Sequence, residues 1–214
     1  MSYENLQRFI GRADAIDLRD GVNAYRIYHR VIKNFALSYA AKFEPTLAAF
    51  CALSPQNDYY GNLRSLASVL HAVQHSLPLE GVTVSTYKHC RDRAYAYLTG
   101  KADFLSTVKG LKIRAFYANI LDPEDPKPVT IDGHMVCAWR GINVPMQSAS
   151  VKPAEYDEIA QGVRDLAEEI NLLPNQVQAI IWLTRKRLQR IKYDPQLNLF
   201  GDGIEIPAIN APPF

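Results

Sequence analysis

Apolar residues recur at helical spacing along most of the chain. Tyr25, Tyr28, Ile32, Phe35 and Tyr39 form one stripe, and Leu63, Leu66, Ala67, Leu70 and Val73 form another. A third runs through Ile113, Phe116, Tyr117 and Ile120, and a fourth through Tyr156, Ile159, Val163, Leu166 and Ile170. Steps of three and four place such residues on one face of an α-helix. Pro153 and Pro174 sit where first-turn prolines belong, so each is predicted to open a long helix. Strand patterning is confined to "VTV" at 82–84 and "VTI" at 129–131, each too short to build a sheet. The segment "DPEDPKP", Asp122 to Pro128, cannot be helix, because its prolines lack amide donors and clash with a preceding turn. It is predicted to be an ordered loop or linker. After Lys192 the periodicity stops, and an extended tail is expected. The pattern predicts an all-α fold of two helical lobes hinged near residue 125.

Composition narrows the class without changing that picture. The chain has 214 residues, 48% hydrophobic and 21% charged, which suits a soluble globular protein of one compact domain or two small lobes. No apolar run approaches the roughly 20 residues that span a bilayer, so no membrane partner is expected. The opening "MSYENLQRFIGRAD" carries acids and no apolar core, unlike a signal peptide. Cys51, Cys90 and Cys137 are scattered, which argues for reduced thiols in a cytoplasmic protein and against a metal centre or an iron–sulfur cluster. A net charge of +2 requires any nucleic-acid contact to come from local basic patches.

One stretch carries candidate chemistry. In "VTIDGHMVCAW", Val129 to Trp139, a single acid, Asp132, stands between a β-branched run and a helix-like segment. A carboxylate there caps a helix, binds a metal or stabilises a cation during a reaction. Upstream, "VKGLKIRAF" is a short apolar turn around Gly110 between two helices. A glycine there exposes the backbone N–H groups that open the next helix, and Lys109, Lys112 and Arg114 add positive charge. An αα-hairpin with solvated lysines would read the same way.

Together, the hairpin turn, the proline loop and "hydrophobic-Asp-x-His" resemble the endonuclease III superfamily of helix-hairpin-helix DNA glycosylases. The resemblance covers roughly residues 45–190. Gly110 aligns with the first glycine of that family's hairpin (Leu-Pro-Gly-Val-Gly-x-Lys-x-Ala), and Arg114 with its catalytic lysine. Asp132 lies 18 positions beyond Arg114, the separation of lysine and catalytic aspartate in the family. "ALSPQNDYYGNL", Ala52 to Leu63, resembles the family's Leu-Ser-x-Gln segment, whose glutamine faces DNA. The resemblance implies a helical barrel over 45–127, a second lobe from 1–44 plus 128–192, a tail over 193–214, and a DNA-binding cleft between the lobes. Lys112 stands where the family has its second hairpin glycine. Arg114 replaces the Schiff-base lysine, and a guanidinium cannot act as that nucleophile. The resemblance therefore implies a monofunctional glycosylase without cofactor or metal. Its expected form is a monomer acting on double-stranded DNA with a damaged or modified base, in repair or in defence against modified phage DNA.

Within that reading Asp132 is the catalytic carboxylate; the alternative is a plain N-cap. Gly110, Lys112 and Arg114 hold a phosphate. His134 touches a phosphate or the base, or is structural. Gln56 and Asn57 fill the gap left by a flipped nucleotide. Tyr59 and Tyr60 stack on a base, or one of them belongs to the core. Trp139 and Trp182 read as core aromatics. Arg185, Lys186, Arg187, Arg190 and Lys192 read as a basic, solvated helix face that could add phosphate contacts. "QLNLF" resembles the peptide that docks on the bacterial sliding clamp, with Gln196, Leu197, Leu199 and Phe200 as its anchors. The expected location is cytoplasmic, at the nucleoid. The competing class is a helix-hairpin-helix DNA-binding module without catalysis. A third is a base-processing enzyme acting on RNA or free nucleosides.

Overall fold

The structure, a computed structural model, describes residues 2–145 and 148–189. Its described regular elements are all helical: α1 (Ser2–Ile10), α2 (Ala15–Ser38), α3 (Phe43–Leu53), α4 (Tyr59–Gln74), α5 (Lys88–Leu98), α6 (Phe104–Thr107), α7 (Leu111–Leu121), α8 (Gly133–Arg140), α9 (Pro153–Glu169) and α10 (Pro174–Leu188), with a 3-10 turn at Leu79–Gly81. Pro153 and Pro174 do open α9 and α10. None of the described helices is long and apolar enough to cross a membrane.

The chain divides into two compact units. One holds the described residues up to His29 and from Gly110 onward; the other holds Arg30–Lys109. In the second unit α3, α4 and α5 pack on one another around Leu47, Phe50, Leu53, Leu66, Leu70 and Ala94. Full burial of each of these leucines and of Phe50 stabilises by about 1.5–3 kcal/mol.

In the first unit α1, α8, α9 and α10 converge on Leu6, Met135, Val136, Ile159, Val163, Leu166, Val177 and Ile181. Trp139 joins this core because Gly162 makes room for it: a Cβ at 162 would stand 2.6 Å from Trp139 Cζ3.

Thr130 and its two neighbours form no strand, yet all three are buried. Side chains do the pairing that a sheet would otherwise supply. The Tyr156 hydroxyl donates to Val129 O at 2.8 Å and accepts from Ile131 N–H at 3.3 Å, while Asn119 Nδ2 donates to Thr130 Oγ1 at 2.9 Å. The buried Val129 carbonyl and Ile131 N–H are thereby satisfied without a partner strand. Burial pushes the Tyr156 phenol up to about 12, keeping it a neutral donor.

The proline loop before this segment is ordered. Asp122 Oδ1 and Asp125 Oδ1 accept from the N–H groups of Glu124 and Lys127, and Asn175 Nδ2 donates to Pro123 O at 2.8 Å. Arg164 donates through Nε and Nη2 to Lys127 O, and Arg26 grips Glu124 with two bonds of 2.7 and 2.9 Å. Fixed at both sides, the loop delivers 129–132 in one place.

Gly21 of α2 lies against α10, where an added Cβ would come within 2.8 Å of the Ile180 backbone. Gly21→Ala is expected to lower the melting temperature. The helix-propensity gain of about 1 kcal/mol is outweighed by overpacking against backbone, of order 1–3 kcal/mol and at the upper end here. Thermal unfolding of the variant checks it.

Candidate functional site

Asp132 ends the buried extended segment and starts α8. Its Oδ1 accepts the Met135 N–H at 3.0 Å, the bond of a helix N-cap. No hydrogen bond to its second oxygen forms among the described residues. The free N–H groups of the first turn and the helix dipole favour a negative charge at this position. Asp132 is half-buried, and its charge acts on Tyr25, His134, Tyr156 and Arg185.

His134 lies in the first turn of α8, and its Nδ1 is 2.6 Å from Arg185 Nη1 of α10. A guanidinium only donates, so Nδ1 accepts and the ring proton sits on Nε2. Trp182 stands edge-on to the imidazole, with centroids 6.1 Å apart and planes at 86°. Lys186 Nζ lies 4.2 Å from the centre of the Trp182 ring, a cation–π contact. Burial pulls the His134 pKa below its ordinary value; Arg185, Lys186 and Lys112 push the same way and Asp132 opposes them. The charge of Lys112, from the start of α7, is thus felt at α8. Helices α8 and α10 meet at His134 and Arg185.

Gly110 is the N-cap of α7, with φ −69° and ψ 121° and no side-chain cap. Any residue adopts that backbone, and a Cβ would meet nothing within 4 Å. The turn therefore does not need glycine's freedom; the glycine only leaves the amides uncovered. Lys109, Lys112 and Arg114 are exposed around it, and the Arg114 side chain makes no hydrogen bond or ion pair among the described residues. The helix before the turn, α6, has only four residues.

The other expected residues lie in the second unit. Gln56 is exposed with φ 51°, a left-handed conformation that costs a non-glycine residue about 1–2 kcal/mol. Asn57 Nδ2 donates to Leu53 O at 3.1 Å, closing the end of α3. Tyr59 is a core residue, 6% exposed, and half-buried Tyr60 packs edge-on against it at 5.4 Å. Of the two tyrosines, only Tyr60 offers a ring to a ligand.

This chain belongs to family DUF7178. The family model, described as a family of unknown function, matches residues 2–189. No curated protein and no solved structure matches the chain.

The basic helix face is where the structure departs most from the pattern of the sequence. Arg185 and Lys186 are buried, and Arg187 pairs with Asp14 and Asp17. Arg190 and Lys192 lie outside the described residues, as do Gln196, Leu197, Leu199 and Phe200 of the tail. A signal for Arg185 was present: Val177, Ile181 and Arg185 are spaced by four, so the arginine shares a face with two apolar residues that are fully buried. Tyr25 was readable only as an apolar stripe residue, yet its hydroxyl donates to Gln178 Oε1 at 2.7 Å beneath this site. Among the described residues no group of three or more His, Cys, Asp or Glu could hold a metal ion.

The lowered His134 pKa has a sign that can be tested. Between its folded value and the ordinary 6.5, the unfolded chain binds the extra proton. The stabilisation is therefore complete above about pH 6.5 and is lost as pH falls through the folded pKa. His134→Gln, whose side-chain oxygen still accepts from Arg185, is expected to show a shallower loss of melting temperature between about pH 7.5 and pH 5. Parallel unfolding curves of the two proteins across that range measure it; identical slopes would remove His134 from the titration.

Proposed function

We propose that the protein is a monofunctional DNA glycosylase, excising a damaged or modified base by hydrolysis of the N-glycosidic bond, with Asp132 as its catalytic carboxylate. The observation that carries this reading is the setting of Asp132: a carboxylate fixed by one oxygen at a helix start, close enough to His134 and Arg185, which bond to each other, for its charge to act on both. Cleavage builds positive charge on the sugar, as in other glycoside hydrolyses. A preorganised anion stabilises that charge and orients the attacking water. The uncovered amides of α7, with Lys112 and Arg114, hold a backbone phosphate. On the second unit, the exposed Gln56 and the half-buried Tyr60 offer an amide and a ring to DNA.

The capping bond to Met135 favours a second reading, because a structural aspartate makes it too. In that reading the protein binds DNA through the same amides and lysines without cutting any bond. Asp132→Asn separates the two. An amide keeps the cap but has no charge, so excision is expected to fall by about 2–4 kcal/mol of transition-state stabilisation, roughly 30- to 1000-fold in rate, with fold and DNA binding retained. Counting alkali-labile sites in DNAs of differing modification measures it, and excision at the parental rate would sink the assignment. Borohydride is expected not to trap the protein on abasic DNA, since Arg114 cannot form an imine. A covalent band on a denaturing gel that vanishes in Lys112→Ala would make the enzyme bifunctional.

A further inference from the structure

Arg185 is 1% exposed, one of the largest fully buried side chains of the protein, and donates only through Nη1, to His134. Its Nε and Nη2 are buried with no hydrogen-bond partner among the described residues. Those two nitrogens are the side-by-side fork of a guanidinium. The same fork grips Glu124 from Arg26, at 2.7 and 2.9 Å, and Glu155 from Arg140, at 2.7 and 2.6 Å. In Arg185 no described carboxylate fills it. Asp132 is near enough for its charge to be felt, but its carboxylate caps α8 instead of closing on the fork.

A buried cation without a counter-ion costs several kcal/mol, and a guanidinium does not escape by losing its proton. The geometry wants two acceptor oxygens side by side, and the charge wants an anion. Lys186 on the same helix and Lys112 at the start of α7 raise the positive potential at the same group of residues. A phosphate answers all three requirements, with two oxygens for the fork and a second charge for the lysines.

We propose that Arg185 is a phosphate-binding residue of this site, held in register by its bond to His134 and taking two phosphate oxygens through Nε and Nη2. The phosphate is either a diester of DNA or that of a free small molecule. The site stands independently of base excision; if excision holds, Arg185 grips the substrate beside the reacting sugar as a binding residue and not as the catalytic group.

The test uses the full chain and inorganic phosphate. Thermal unfolding is followed in phosphate and in chloride at matched ionic strength, for wild type, Arg185→Met, Arg185→Lys and Lys112→Ala. Wild type is expected to gain melting temperature with phosphate concentration in a saturating manner, as a ligand that binds only the folded state requires. Arg185→Met removes the buried charge with little change of length and is expected to lose the gain. Arg185→Lys, the second variant should methionine not fold, keeps the charge without the fork and is expected to weaken phosphate roughly 10- to 100-fold. A labelled duplex identifies the source: competition between phosphate and duplex assigns a DNA phosphate, and an unchanged phosphate gain with duplex saturating assigns a small molecule. No gain in wild type, an equal gain in both Arg185 variants, or a gain lost only in Lys112→Ala would overturn the proposal. None of these readouts depends on base excision, so loss of that activity with phosphate binding intact leaves the site standing.

Discussion

Helix α10 has almost no face turned to water, and a helix buried all round must bring partners for every polar group it carries into the core. Within the first unit those partners come from distant parts of the chain. Asn175 reaches the proline loop at Pro123 O, Gln176 donates to Val22 O at 3.0 Å, and Gln178 accepts from Tyr25. Thr184 and Arg187 both donate to Asp17 Oδ2. These bonds tie other segments to the helix, so α2 and the loop after α7 are located by reference to α10. Replacing the shared acceptor Asp17 would take an acceptor from the buried Thr184 hydroxyl and from Arg187 at once, leaving Arg187 only Asp14 and Arg12 O among the described residues.

The candidate site is a by-product of that constraint. Once α10 is buried, Arg185 lies in the interior, where its only described acceptor is the ring nitrogen of His134. His134 can accept only while it is neutral; burial of the ring, with Arg185 pushing the same way, favours that state. Asp132 sits two residues away at the start of the same short helix. In an environment of low dielectric these charges act on one another more strongly than they would in water. Asp132, held by its bond to the Met135 N–H, is in place before any ligand arrives.

The extended run before Asp132 shows how side chains substitute for secondary structure. Tyr156 from α9 pairs with Val129 O and Ile131 N–H, and Asn119 from α7 holds the Thr130 hydroxyl, so three β-branched residues stay extended and buried with no described strand beside them. The consequence is placement. A carboxylate at the end of a flexible loop would lose conformational entropy each time it engaged a ligand, whereas here that ordering is complete on folding.

By itself the sequence determined the all-helical class, because the spacing of Leu63 to Val73 and of Tyr156 to Ile170 depends only on the geometry of one helix. It also determined the starts of α9 and α10, where proline lacks only a donor that a first turn does not use, and the capping position of Asp132, where the preference is local. The tertiary structure alone decided the rest. Tyr59 and Tyr60 are adjacent and alike in composition, yet one is core and the other half-exposed. Arg185 and Lys186 look like a solvated charge run until α10 is seen to be enclosed. The burial of a helix face, and the partner of a buried charge, are set by segments far away in the chain: Asp17 for Arg187, His134 for Arg185. Local patterning carries the period of a helix but not the identity of what packs against it, and for a charged residue that identity separates a surface group from a site.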